Sequence, residues 1–194
     1  MFFLQKPSAA RAQAFLEGQQ RAAFSYAEPG ATRLETGPAG YHLDRHRIRL
    51  GEGQEVFERA CTALRCWGPF NLGWVSLLTP HATFEAGTTL MLCIRHFGFY
   101  SLIANRLVYV LEEPTRFGFA YGTLEGHAEQ GEERFLVFTD EQGAVFFELF
   151  SFSKPRHPLA VLGTPLVRVL QAAASRGYLN AMLSAVQNAK KVLE

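Results

Sequence analysis

The sequence predicts an α+β fold in which an antiparallel, strongly curved sheet of about six to seven strands grips a long C-terminal helix. Residues 88–153 consist of segments rich in Phe, Val, Leu, Ile and Tyr, separated by short breaks that contain Gly, Pro or charged residues. Connections this short cannot hold crossover helices, so the strands should pair in an antiparallel manner. From Pro165 onward, apolar residues recur at helical spacing and form a broad stripe.

The predicted elements follow one another in a simple order. A short helix is expected at 9–17, loops at Pro29-Gly30 and 37–40, a strand at 41–50 and a helix at 56–67 that ends at Gly68-Pro69. The long helix begins near Pro165, a residue suited to a first helical turn. This order describes the helix-grip (START-like, Bet v 1-like) fold. The remaining strands are predicted at 75–78, 88–95, 103–111, 116–122, 134–139 and 144–152, with a loop at 123–133.

Two segments with different roles are expected. Residues 1–40 are predicted to form an N-terminal arm that packs on the sheet or on a partner chain, and residues 41–194 to form the helix-grip domain. The reason is that residues 135–138 and 107–111 are consecutively apolar, so both faces of the sheet need cover. The C-terminal helix can cover one face. The other face requires the arm or a second copy of the chain, which leaves a homodimer open.

The composition excludes several classes of protein. The 194 residues are 48% apolar and 19% charged, which suits a single buried core. Nineteen basic residues stand against eighteen acidic ones, so the basic excess of a nucleic-acid-binding protein is missing. No apolar run reaches the roughly 18 residues that span a membrane, and the start lacks the basic region of a signal peptide. Three cysteines without a CxxC motif favour a reducing, cytoplasmic location.

A distinctive segment at 118–135 reads GFAYGTLEGHAEQGEERF. It resembles the signature of a family shared by bacteria and plants and known as a domain of unknown function, number nineteen-ninety of its series. The likeness extends to LGEGQEVFERA at 50–60, to SFSKP at 151–155, and to 165–171 with Tyr178. Glu125 and Ala128 stand where prolines are common in the family. The family looks like a relative of the START-like superfamily, so the resemblance implies the helix-grip fold and no established activity.

Candidate ligand-binding residues are polar or amphipathic groups within apolar strands or beside the stripe of the C-terminal helix. Glu148 illustrates the argument, because a buried carboxylate must either pair with an arginine or face a wet cavity. In a helix-grip fold the space between sheet and helix can hold an apolar ligand, held by a few polar groups. A core filled by aromatic side chains is the alternative. The predicted ligand-binding residues are Tyr109, Tyr121, Thr123, His127, Glu148, Gln171 and Tyr178.

Two further clusters contain residue types that are typical of chemical sites. His127 lies among carboxylates at 123–133, a combination capable of proton transfer or metal binding, although turn glycines and ion pairs produce such clusters often. His42, Asp44 and His46 alternate along a strand and share one face, but no longer zinc-type spacing accompanies them. We therefore predict no catalytic residues, no metal and no cofactor.

The sequence favours a small cytoplasmic protein that binds a hydrophobic or amphipathic small molecule between its sheet and its C-terminal helix, with no nucleic-acid partner and no membrane span. Arg45, Arg47 and Arg49 line one face of the first long strand, as expected of a solvated sheet edge. Two alternatives remain. One is a cyclase- or hydrolase-like enzyme that uses the same cavity, and the other is a protein-interaction module that binds no ligand.

Overall fold

The computed structural model describes residues 1–35, 37–156 and 164–193, with side chains of the last segment described at 168–188. In these parts of the chain, no helix is both long and apolar enough to cross a membrane. The elements in chain order are β1 (Phe2–Phe3), α1 (Ala9–Gln20), a 3-10 turn (Ala31–Leu34), β2 (His42–Glu52), α2 (Gln54–Arg65), a 3-10 turn (Gly68–Phe70), β3 (Val75–Leu77), β4 (Thr89–Arg95), β5 (Tyr100–Glu113), β6 (Arg116–Thr123), β7 (Glu129–Thr139), β8 (Ala144–Pro155) and α3 (Thr164–Leu193).

The strands form one curled antiparallel sheet in the order β2-β8-β7-β6-β5-β4-β3, and the short β1 pairs with β5. Strands β3 to β8 are neighbours in chain order, which is the meander that the short connections predict. Helices α2 and α3 cover one face of this sheet, which we call the concave face. The predicted helix-grip fold is confirmed by this arrangement.

An aromatic core fills one part of the space between the concave face and the helices. The rings of Phe119 and Phe135 stack with their centroids 4.8 Å apart, and Trp67 packs edge-on against Phe119 at 5.4 Å. Phe70, in the 3-10 turn after α2, lies 5.5 Å from Phe135, and Met182 of α3 is fully buried in the same cluster. The packed core that the aromatic content suggested therefore exists in this part of the fold.

The N-terminal arm lies against the opposite, convex face of the same chain. Its anchor is Glu132, which is 2% exposed and accepts hydrogen bonds from the Tyr26 hydroxyl at 2.7 Å and the Gly30 amide at 2.7 Å. The amide and hydroxyl of Thr32 also donate to this carboxylate. Arg106 donates to three carbonyl groups where α1 ends. Because a buried carboxylate is costly without such donors, these contacts fix the arm to the sheet.

The predicted loop at 123–133 is wrong for most of its length. Strand β6 continues to Thr123 and β7 begins at Glu129, which leaves 124–128 as the connection. The acidic and glycine content suggested a loop, but the charged side chains of β7 find partners on both faces of the sheet. Gly131 is required within the strand because a Cβ atom there would meet the backbone of Phe152 on β8.

Candidate functional site

A row of polar side chains crosses the concave face beside the aromatic core. Tyr121, Glu133, Ser151 and Asp44 are successive cross-strand neighbours on β6, β7, β8 and β2. Side chains two residues apart on a strand share a face. Phe119, Phe135 and Leu149, each two positions away along its own strand, belong to the concave core, so the polar row faces α3 as well.

Glu133 and Tyr121 form the central contact of this row. The Tyr121 hydroxyl donates a hydrogen bond of 2.8 Å to Oε2 of Glu133. Burial raises the pKa of Glu133 to about 7, because the ionised carboxylate loses the water that would stabilise it. The hydroxyl of Tyr178, on α3, lies close enough to both groups to act on them, and burial raises the pKa values of both tyrosines. At neutral pH the carboxyl group of Glu133 therefore exchanges between its two protonation states.

Glu133 lies deep in the fold and still retains accessible surface. Its side chain is half-buried, although burial is the largest cause of its raised pKa. This combination is expected of a group that borders a space accessible to water. Ser151 and Asp44, in the same row, are likewise half-buried. Tyr121 and Tyr178 are 8% and 6% exposed, so they close the side of the row that meets the aromatic core.

Polar side chains in the N-terminal half of α3 contact the sheet. Gln171 donates from Nε2 to Glu129 on β7 at 2.7 Å, and burial raises the pKa of Glu129. Arg168 donates to the amide oxygen of Gln171 at 2.9 Å and lies 3.5 Å from Asp44 on β2. Both α3 side chains also contact the Ser153 hydroxyl at 3.3 Å. These contacts hold α3 against the sheet beside Glu133.

Asn105, on β5, adds an unpaired polar atom to the concave face. It lies between Ile103 and Leu107, which pack in the concave core, and Leu107 pairs with Tyr121 across the strands. Asn105 is 2% exposed, and its Oδ1 has no hydrogen-bond partner among the residues that the structure describes. An unsatisfied buried acceptor costs on the order of 1–3 kcal/mol, so a donor supplied from outside the chain would remove a real penalty.

Sequence reasoning did not assign Glu133 or Asn105 as site residues. A signal was present for Asn105, since it is an amide within the largely apolar stretch LIANRLVYVL at 102–111. For Glu133 the signal is its two-residue spacing from Phe135, the most buried aromatic residue of its strand. Its placement in a predicted loop concealed that alternation.

The structure brings three of the predicted ligand-binding residues to the polar row or beside it, namely Tyr121, Gln171 and Tyr178. Thr123 and His127 lie nearby, where β6 ends and β7 begins. The Thr123 hydroxyl accepts from the Gly131 amide at 2.9 Å, which holds the two strands together. Nδ1 of His127 accepts from the Glu129 amide at 3.0 Å, and burial lowers the pKa of this imidazole to about 4. His127 is therefore neutral at physiological pH.

The other two predicted residues, Glu148 and Tyr109, lie on the convex face, and the sheet separates them from α3. Glu148 is 2% exposed and accepts from Arg134 and Arg47, both at 2.8 Å. This is the arginine pairing that was one of the two outcomes expected for a buried carboxylate. The Tyr109 hydroxyl is 2.8 Å from that of Thr32 in the arm. These two residues stabilise the arm and do not border the concave space.

Two surface pockets are also described, and neither includes the polar row. One, of about 530 Å³, is lined by the end of α1 and by residues 78–83 and 87–89. The other, of about 470 Å³, lies beside the 3-10 turn of the arm and is lined by Arg33 and Tyr109. Both are open grooves on the surface of the protein.

Comparison with other sequences identifies relatives over nearly the whole chain. A family profile described as Domain of unknown function (DUF1990) matches residues 25–181. A UPF0548 protein of Deinococcus radiodurans is 40% identical over 198 residues, which cover 95% of this chain and 98% of the relative. A UPF0548 protein of Arabidopsis thaliana is 33% identical over 153 residues, covering 76% of this chain and 74% of the relative.

Solved structures share the fold at low sequence identity. The Zhui aromatase/cyclase from Streptomyces sp. R1128 matches with a TM-score of 0.55 and 10% identity, covering 76% of this chain and 94% of that one. Ara h 8.0201 matches at 0.52 and 13%, covering 77% and 99%. Human STARD10 matches at 0.50 and 10%, covering 97% and 85%.

Proposed function

We propose that this chain, which belongs to the DUF1990 family of unknown function, binds an amphipathic small molecule between its sheet and α3. The observation that carries the proposal is Glu133, a half-buried carboxyl group on the face of the sheet that α3 covers, which accepts a hydrogen bond from Tyr121 and whose pKa burial raises. A filled core would not expose such a group, and a structural ion pair would have given it a basic partner.

The surroundings of Glu133 suit a molecule with two unlike parts. The rings of Phe135 and Tyr178, 5.7 Å apart, offer an apolar wall on one side. Glu129, Gln171 and Arg168 offer polar groups on the other. Ligand sites of this kind combine mostly apolar walls with a small number of placed polar groups that fix orientation. That one fold neighbour is an aromatase/cyclase agrees with the proposal without assigning a ligand to this chain.

Native mass spectrometry of the gently purified protein tests the proposal. We expect a non-covalent adduct on the wild-type chain that disappears on denaturation. Ser151→Leu places a larger apolar side chain beside Glu133 and should abolish the adduct. Ser184→Leu, the same change at an exposed position of α3, should retain it. A bare wild-type mass in repeated preparations would contradict the proposal, as would an equal adduct on Ser151→Leu.

A second candidate function is proton transfer to or from the bound molecule. Glu133 favours it, because a carboxyl group with a pKa near 7 exchanges protons efficiently at neutral pH. The test uses the molecule released from the wild-type protein, returned to stripped protein in deuterated water. If Glu133 catalyses proton transfer, the molecule should gain deuterium at a carbon atom when it is incubated with wild type. With Glu133→Gln it should gain none above background. Equal incorporation by both proteins would leave binding alone as the function.

A further inference from the structure

We infer that the ligand presents a positively charged hydrogen-bond donor, an ammonium group attached to a planar apolar body, to Glu133 and Asn105. This inference rests on the proposed function, since it names the class of molecule that the same space would take. Three properties of the concave face carry it: an excess of acceptors, a surplus of negative charge, and aromatic walls.

Acceptors outnumber donors where the ligand would lie. Among the described residues, Glu133 accepts one hydrogen bond, from Tyr121, although a carboxylate can accept about four. Asn105 is 2% exposed, and its Oδ1 accepts no hydrogen bond within the described part of the chain. The donors of Gln171 are already directed at Glu129 and Ser153. A ligand that brings donors would satisfy the unused acceptors, whereas one that brings only acceptors would leave them unpaired.

Carboxyl groups outnumber cations around Glu133 among the described residues. Glu133, Glu129 and Asp44 act on one another electrostatically, since the nearby carboxylates contribute to the raised pKa values of Glu133 and Glu129. Arg168 is the cation described at this end, and it is engaged by Asp44 and Gln171. An ammonium group would therefore meet net negative charge. A carboxylate or phosphate would meet repulsion and would find Arg168 already occupied.

The wall on one side of Glu133 is aromatic. Tyr121 lies 5.1 Å from Phe135, and Tyr178 lies 5.7 Å from Phe135 and 5.5 Å from Phe70, all between ring centroids. Aromatic faces attract cations and pack against planar apolar groups. These rings suit an ammonium group beside Glu133 and a planar body next to it.

Three probes that differ in their head groups test the inference: 2-phenylethylamine, 2-phenylethanol and phenylacetate. Their binding to stripped wild-type protein is measured by isothermal titration calorimetry at pH 8, where Glu133 is mostly ionised. We expect the amine to bind about tenfold more tightly than the alcohol, as a charge-assisted hydrogen bond allows, and phenylacetate to bind more weakly than both. Glu133→Gln should reduce the amine's affinity about tenfold and leave that of the alcohol nearly unchanged. Glu125→Gln, at an exposed position of the 124–128 connection, is the matched control and should change neither.

The outcomes separate this inference from the proposed function. Equal or tighter binding of the alcohol or of phenylacetate overturns the ammonium assignment and leaves small-molecule binding intact. The same holds if none of the three probes binds while native mass spectrometry shows an adduct. Failure of every probe together with a bare native mass overturns both. An amine affinity that Glu133→Gln leaves unchanged overturns the assigned position of the head group. Because the ranking of probes is measured on the wild-type chain, the test does not depend on the folding of a variant.

Discussion

Replacing Glu133 with glutamine measures the cost of holding a carboxyl group between the sheet and α3. Glutamine has nearly the same shape, and its amide oxygen can still accept the hydrogen bond from Tyr121. It cannot ionise. The variant should therefore fold like wild type at low pH and differ from it only where the wild-type carboxyl group has lost its proton.

The sign and size of the effect follow from the raised pKa of Glu133. Burial moves that pKa from 4.5, the ordinary value, to about 7 in the folded protein. Below pH 4.5 the group is protonated in the folded and the unfolded chain, so the stability that the protonated group contributes is fully present. As pH rises through about 7, that part of the unfolding free energy is lost. The full loss corresponds to about 3 kcal/mol of unfolding free energy, an upper value because the side chain is only half-buried.

Urea denaturation at pH 4, 6 and 8 checks this expectation. The free energy of unfolding of Glu133→Gln should match that of wild type at pH 4 and exceed it at pH 8 by up to about 3 kcal/mol. Other titrating groups are common to both proteins and cancel in the difference. Glu125→Gln should differ from wild type by the same small amount at each pH. A Glu133→Gln variant that is equally stable or less stable at pH 8 would refute the reasoning.

Three further predictions concern the arm and the turn between β6 and β7. Tyr26→Phe removes the hydroxyl that donates to buried Glu132 at 2.7 Å, so thermal unfolding should show a loss of about 2 kcal/mol, and limited proteolysis should cut the arm faster. Gly122→Ala places a methyl group against the Tyr26 hydroxyl, so it should lower the free energy of unfolding by about 1–3 kcal/mol. In the double variant, Tyr26→Phe removes that hydroxyl and should recover part of the stability lost to Gly122→Ala. If the destabilising effects of the two changes simply add, the contact is contradicted. His127→Asn keeps an acceptor near the Glu129 amide and removes an imidazole whose pKa burial lowers to about 4. Wild type should lose stability as pH falls from 7 to 4, because the unfolded chain binds a proton at His127 more readily than the folded one, and the variant should lose up to about 3 kcal/mol less. Parallel profiles of unfolding free energy against pH would contradict this.

The sequence predicted the strands well because residues typical of turns clearly separate one apolar run from the next. Strand β8 was expected at 144–152 and is Ala144–Pro155, and β4 was expected at 88–95 and is Thr89–Arg95. The short connections also made the antiparallel order predictable. The end of β6 and the start of β7 were missed, because a run of glutamates and glycines suggests a loop unless the partners of those side chains are known.

The concave site was harder to predict, since both faces of the sheet are apolar. Glu148 lies between Phe147 and Leu149, and the alternation correctly separates it from those two neighbours. Phe146 and Phe150 are apolar too, so the pattern could not show which set faces α3. Adjacent Glu132 and Glu133 raise the same difficulty. One anchors the arm and the other borders the concave space, and only the register of β7 assigns them.

A crystal structure of the wild-type protein, purified at neutral pH without denaturation, tests the central claim most directly. We expect non-protein electron density bounded by Tyr121, Glu133 and Tyr178, with a polar end within hydrogen-bond distance of the Glu133 carboxyl group. Side chains of α3 packed directly onto Glu133, with room for nothing larger than water, would contradict the claim that this fold encloses a ligand.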